Sequence, residues 1–484
     1  AGTVLLAAVI IMAVLFMPPY IGMEDNGDYA RVTYPQGLYD LPENRDLLYN
    51  GYFIKDYGIM QYYNEYHSTV FTSQSIFIQP AVWLDKLLTG NDDIFDLRFL
   101  GVVMTIYFLI VLYFLVDYLT YKLSLVSQLL IGAVCIFVFV DIGYTAYFNS
   151  FFAEPVAYIS LLACITCALL YADNRYNRYA LLAGYVLNGM ILTFSKQQFA
   201  PIGAVLGILC LFFCLKAGTR LFKRLIALSS AALLLAGIIT YLLIPPEFTH
   251  INLYHAMTRG VLMTSDDPRE TLESFDIDSQ YELLNKTIYF DRYPVIDPED
   301  ERLQENFYSR YNVLSVVNYY ASNPGAFAEM LKLAARNAYR IRPDLGNFEY
   351  SSGYPPNEKT QAFSVYSSLK QTYTPKTTGF IIIWMTIALG LLYKKRLKQI
   401  TVCGIILIGL SQIVVPVIGA GDADLAKHMF LYNVSFDMVN VILFAHITAF
   451  FDRKCKNKKS GTVQSGAVQH QTEPDGASEL DDAS

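Results

Sequence analysis

The chain has 484 residues, 54% of them apolar and only 16% charged, with a formal net charge of −7. Soluble domains carry about 25% charged residues, so this balance excludes a soluble globular enzyme, a fibrous protein and a disordered chain. It also excludes an outer-membrane barrel, whose strands alternate apolar and polar residues over about 10 positions.

A spanning helix needs about 20 mostly apolar residues. In chain order, hydropathy predicts ten such spans, at 1–17, 99–116, 124–140, 155–171, 179–194, 199–215, 225–244, 379–393, 399–418 and 431–451. The first is expected to be a retained helix, because no small-x-small cleavage site precedes Pro18-Pro19. The stretch from Ser73 to Leu88 is apolar but holds Pro80, Asp85 and Lys86. It predicts a helix lying on the membrane surface with Trp83 at headgroup depth.

Lys122, Arg175, Arg178, Lys216, Arg220, Lys223, Arg224 and the basic runs at 394–398 and 453–459 fall on one side of this topology. The short loops on the other side carry only Lys196 and Lys427. The positive-inside rule makes the first side cytoplasmic and, with ten spans, puts both termini there.

The predicted fold is therefore all-α: a polytopic membrane helix bundle with a small helical extracytoplasmic domain. Residues 1–244 form an N-terminal transmembrane module whose first outer loop, 18–98, carries an acidic motif. Residues 245–378 form a mostly helical outer domain, with helical patterns at Val313–Ala321 and Ala326–Ile341. Residues 379–451 supply the C-terminal spans, and 452–484 a polar cytoplasmic tail expected to be disordered. Six of the seven cysteines fall in predicted spans and the outer segments hold none, so no disulfide framework is expected.

Four polar features lie on the outer side. Glu24, Asp25 and Asp28 follow the first span directly, with Arg31 next to them. Such a cluster reads equally as a turn, but at the bilayer edge a partly dry carboxylate has its pKa raised toward general-base use. Asn149 and Glu154 precede the fourth span; Glu154 before Pro155 suits a helix start, and the pair could form a second polar wall. Lys196 and Gln197 sit in a tight outer turn, where a lone lysine reads as a point charge for phosphate. Asp422, Asp424, Lys427 and His428 precede the last span. No P-loop, dinucleotide fingerprint, zinc spacing or nucleophile elbow occurs, and the basic stretches flank the membrane, so no nucleic-acid partner is expected.

The stretches EDNGDYAR (24–31), QSIFIQPAVWLDKL (74–87), FDLRFLG (95–101), YFNSFFAEP (147–155), TFSKQQ (193–198), RPDLGNFE (342–349) and GDADLAKHMFLYNVSFD (421–437) keep a characteristic order relative to the spans. In this the chain resembles the GT-C superfamily of polytopic glycosyltransferases, and within it the WsfD-type hexose transferases of bacterial surface and S-layer glycans. The resemblance implies a bacterial plasma-membrane enzyme with an extracytoplasmic site. A hexose would pass from a polyprenyl-phosphate donor to a glycan or lipid-linked acceptor by an inverting displacement. Asp25 or Asp28 would be the base, with Glu24 in the same motif. Lys196, helped by Lys427, His428 or Arg342, would stabilise the leaving phosphate. No cofactor is required, although Asp25, Asp28 and Glu154 are chemically suited to a divalent cation. Two other readings compete: a flippase or transporter of lipid-linked sugars, and a surface-glycan polymerase or ligase. A transporter would place ionisable residues near mid-membrane, where only Asp437 and His446 stand out.

Overall fold

The structure is a computed structural model that describes residues 1–62, 71–391 and 396–468, with 458–468 described by backbone alone. Every apolar stretch predicted to span forms a helix. These are α1 (Gly2–Leu15), α3 (Arg98–Thr120), α4 (Leu125–Phe139), α5 (Glu154–Ala172), α6 (Arg178–Ser195), α7 (Ala200–Leu211), α8 (Arg220–Leu242), α13 (Thr378–Leu391), α14 (Arg396–Ala420) and α15 (Phe430–Val468). The stretch expected to lie on the membrane surface forms a helix, α2 (Ser75–Thr89), which leaves Trp83 and Leu87 exposed. The outer segment contributes α9 (Pro246–Ala256), α10 (Val313–Ser322), α11 (Pro324–Asn337) and α12 (Val365–Tyr373).

Among the described residues six helical segments are long and apolar enough to cross a membrane, and two bent helix pairs raise the number to eight. The protein is an all-α polytopic membrane protein. The count is below the ten expected for two reasons. Helix α1 has 14 residues, about 21 Å at 1.5 Å per residue, and Arg178 and Asn188 dilute the apolar run of α6. Helix α15 continues to Val468, well past Asp452 where the disordered tail was expected to start. The rest of that tail, and Lys394 and Lys395 of the basic run, lie outside the described residues.

Local chemistry sets the helix starts. Ser124 caps α4 by accepting from Ser127 N, and Asn177 caps α6 by accepting from Tyr179 N at 2.8 Å. Pro155 occupies the first turn of α5, where a missing N–H costs nothing, and Glu154 faces the positive end of the helix dipole. Every residue of α5 except Cys167 is buried. A helix apolar all round belongs in a core, and α5 packs against α3, α6, α14 and α15.

The segment between α1 and α3 also holds a small antiparallel sheet absent from the sequence reading, ordered β1 (Leu38–Tyr39), β2 (Asp56–Ile59) and β3 (Ile94–Asp96). Strands of two to four residues carry too little alternation to be seen in advance. The sheet returns the chain to Arg98, whose guanidinium forks onto Asp96 and lies 4.0 Å from the Tyr20 ring. The outer segment builds a second apolar core from Tyr254, Leu262, Phe307, Met330 and Tyr339, which merges with Ile413, Val417 and Tyr432 of α14 and α15.

Candidate functional site

Where α1 ends, the chain is stapled down by backbone bonds. Asn149 Nδ2 donates to the Leu15 and Ile21 carbonyls at 3.3 and 2.7 Å. Both Glu24 oxygens accept backbone N–H groups, from Gly51 at 2.6 Å and from Gly346 at 2.9 Å. Glu24 thus ties the first outer loop to the second. Asp25 comes next. Its Oδ1 accepts from Gly27 N at 2.8 Å and Tyr29 N at 3.1 Å, while its Oδ2 has no donor among the described residues. Burial pushes the Asp25 carboxyl up to about 6, despite the two backbone bonds that oppose the shift.

Asp28 lies in a different field. Burial alone would raise its pKa, but Lys427, Arg31 and Lys196 outweigh it and hold the carboxyl well below the usual carboxylate range. Lys427 Nζ pairs directly with Asp28 Oδ2 and donates to Asn26 Oδ1 at 3.2 Å. It also stands 4.2 Å from the centre of the Phe152 ring, a cation–π contact that holds the ammonium in place. Arg31 reaches Asp28 Oδ1 at 3.1 Å and stacks on Phe248 at 4.0 Å. Lys196 Nζ donates to Glu154 Oε1 at 2.9 Å, and the Glu154 side chain is buried. His428 Nδ1 and Gln198 Oε1 are 2.7 Å apart, and Gln198 Nε2 donates to Gln412 Oε1 at 2.8 Å. Segments some 400 positions apart in the chain therefore meet at one end of the bundle, with |i−j| = 399 for Lys427 and Asp28.

The loop carrying Lys427 is fixed from outside the cluster. Asp422 takes a two-pronged bond from Arg259, Nε at 2.7 Å and Nη2 at 2.9 Å. Gly421 has φ +62, and a Cβ there would fall 2.5 Å from the Arg259 carbonyl. Asp424, at φ 47, uses its carbonyl to accept from Lys427 N and His428 N at 3.0 and 3.2 Å.

The structure thus brings Asp25, Asp28, Arg31, Glu154, Lys196, Lys427 and His428 into one neighbourhood. It gives Glu24, Asn149, Asp422 and Asp424 bonds that shape the surrounding loops. Gln197 sits half-buried in the turn between α6 and α7. Arg342 departs from the expected helper role: it donates to the Thr360 carbonyl at 2.6 Å, and burial lowers its pKa while Asp141 and Glu358 oppose the shift. Its hydrogen bonds go to Asn347 and Thr360, within the same outer segment. Gln412, Phe152 and Phe248 were not singled out beforehand. Gln412 had a usable signal, a polar side chain in an otherwise apolar span. Among the described residues no three His, Cys, Asp or Glu side chains gather as a metal site.

Fold and cluster together define a polytopic membrane protein with a carboxylate and paired cations at one end of its bundle. The family described as YfdI N-terminal transmembrane domain matches residues 2–469, nearly the whole chain, and the protein belongs to this membrane glycosyltransferase-like family. No curated protein and no solved structure matches it.

Proposed function

We propose that the protein is a GT-C-type hexosyltransferase, moving a hexose from a polyprenyl-phosphate donor to a glycan or lipid-linked acceptor at the extracytoplasmic rim. The observation that carries this reading is the meeting of Arg31, Lys196 and Lys427 around Asp28, one turn from Asp25. Glycosyl transfer from a lipid phosphate needs two things: a base for the acceptor hydroxyl, and positive charge for the departing phosphate.

Asp25 is suited to be the base, because a carboxyl with a pKa of about 6 is ionised at neutral pH and still basic enough to take a proton. Asp28 is a poor base for the opposite reason, and its part is to hold Lys427 and Arg31 in place until the donor's phosphate arrives. As the bond between the anomeric carbon and the phosphate oxygen breaks, that oxygen keeps the electron pair. Lys427 and Lys196 donate to it, the acceptor oxygen bonds to the opposite face of the sugar, and its proton goes to Asp25. The anomeric configuration inverts. The setting proposed for it is WsfD-type surface-glycan synthesis at a bacterial plasma membrane.

The test is reconstitution into vesicles with a panel of undecaprenyl-phosphate hexoses. Transfer by the wild type, lost in Asp25→Asn, is the expected result. Wild-type transfer rates in both Asp25→Asn and Asp28→Asn would overturn the assignment of the base. Sugar-lipid crossing the bilayer without any transfer would replace the reading with a flippase.

A further inference from the structure

One cavity lies away from the charged cluster. It is a groove of about 550 Å³ between α4 and α15, walled at one end by α12. Its sides are apolar, formed by Val134, Phe137, Val441 and Phe444. At its base sits a buried ion pair: Lys370 Nζ donates to Asp437 Oδ1 at 2.6 Å, with both side chains almost fully shielded. Tyr366 and Tyr144 each donate to Asp437 at 2.5 Å as well. The Lys370 and Tyr366 bonds hold α12 against α15 at that end of the groove, before the chain turns by 115° into α13.

An ionisable residue inside a span is a functional candidate by default, but this one is balanced. Lys370 neutralises Asp437, and two hydroxyls complete the carboxylate's shell. The groove therefore offers no net charge to a phosphate, only hydrocarbon contact along its walls. Its rim residues Phe137, Leu369 and Tyr373 are exposed, and the groove opens between two helices of a membrane protein, where the surrounding medium is lipid chains.

We infer that this groove binds the isoprenoid chain of the lipid-linked donor; the inference rests on the reading given under Proposed function. The position of the groove favours the carrier over a bilayer phospholipid. It begins at Asp437, ten residues along the chain from Lys427, roughly 15 Å at helical rise. A long single-chain phosphate can engage both places at once. Lys370 and Asp437 act as positioning residues, fixing the α12 wall without touching the reacting atoms.

The experiment uses the full chain in nanodiscs of phosphatidylethanolamine and phosphatidylglycerol. One arm adds a polyprenyl phosphate with a diazirine in its chain; the other adds a phosphatidylglycerol with a diazirine at similar depth. Cross-links from the polyprenyl probe on 134–138 and 436–444, competed by unlabelled polyprenyl phosphate, are expected. Equal labelling by the phospholipid probe would make the groove a bulk-lipid site and overturn the inference. A second measurement compares transfer from long-chain and short-chain phosphate donors. Val134→Trp, which fills the groove, should cut the long-over-short preference at least tenfold, with Leu369→Trp as an independent filling variant. An unchanged ratio in both overturns the inference. Failure of the transferase reading would look different: no transfer by the wild type from any donor, with the cross-link map still reporting on the groove.

Discussion

Asp25 and Asp28 are three positions apart and have opposite environments. Burial raises one to about 6, and Lys427, Arg31 and Lys196 hold the other low against the same burial. The rate should therefore rise between pH 5 and 7 as Asp25 ionises, and that acid limb should vanish in Asp25→Asn together with about 10²–10⁴ of kcat; a pH–rate profile of both proteins checks this. The linkage sign is opposite for the fold. A carboxyl whose folded pKa exceeds its unfolded value favours the native state when protonated, so the Asp25 contribution fades as pH climbs from 3.8 toward 6. Lys196→Met should lower kcat by about 10²–10³, the usual consequence of removing one donor to a developing oxyanion, measured under saturating donor. Asp28→Asn strands the buried Lys427 and should cost up to about 3 kcal/mol, because breaking a shielded pair leaves a charge without compensation. The double variant Asp28→Asn/Lys427→Met should recover much of that loss in a thermal melt.

At the level of helices and loops, the spans were legible because long apolar runs signal themselves locally. Half of the site was legible for a related reason. Lys196 and Lys427 break the charge bias of their side, and Glu154 precedes a proline. The rest depends on contacts between distant segments, which no local pattern encodes. Glu24 looks like a third acid in a row, yet two backbone amides claim it. Arg342 looks like a spare cation, yet Thr360 and Asn347 hold it. The close approach of α3 to the Asn149 turn is another such contact: a Cβ on Gly101 would fall 1.9 Å from Asn149 Oδ1. Gly101→Ala should therefore displace that turn and lower the melting temperature by several degrees, whereas the same change at the open Gly379 should not.

For the molecule as a whole, the orientation drawn from lysine and arginine counts has a direct check. Cys455 is exposed in α15 beyond the apolar stretch 431–451, and the other six cysteines lie in the apolar helices of the bundle or the turn that ends α7. A membrane-impermeant maleimide should label Cys455 only from the cytoplasmic side. An added Asn26→Cys, in the exposed turn between Asp25 and Asp28, should label only from the opposite side. Labelling of both from one side would refute the topology.

The pairing of Asp28 with Lys427, 399 residues downstream, also imposes a timetable on biogenesis. A ribosome adding about 5–20 residues per second makes the acid roughly 20–80 s before its lysine. Over that interval the acidic turn waits first for Gly346, which Glu24 needs, and then for the turns that carry Lys427. The cluster closes only when those final turns insert, so a polypeptide arrested before residue 427 carries the carboxylates but no assembled centre.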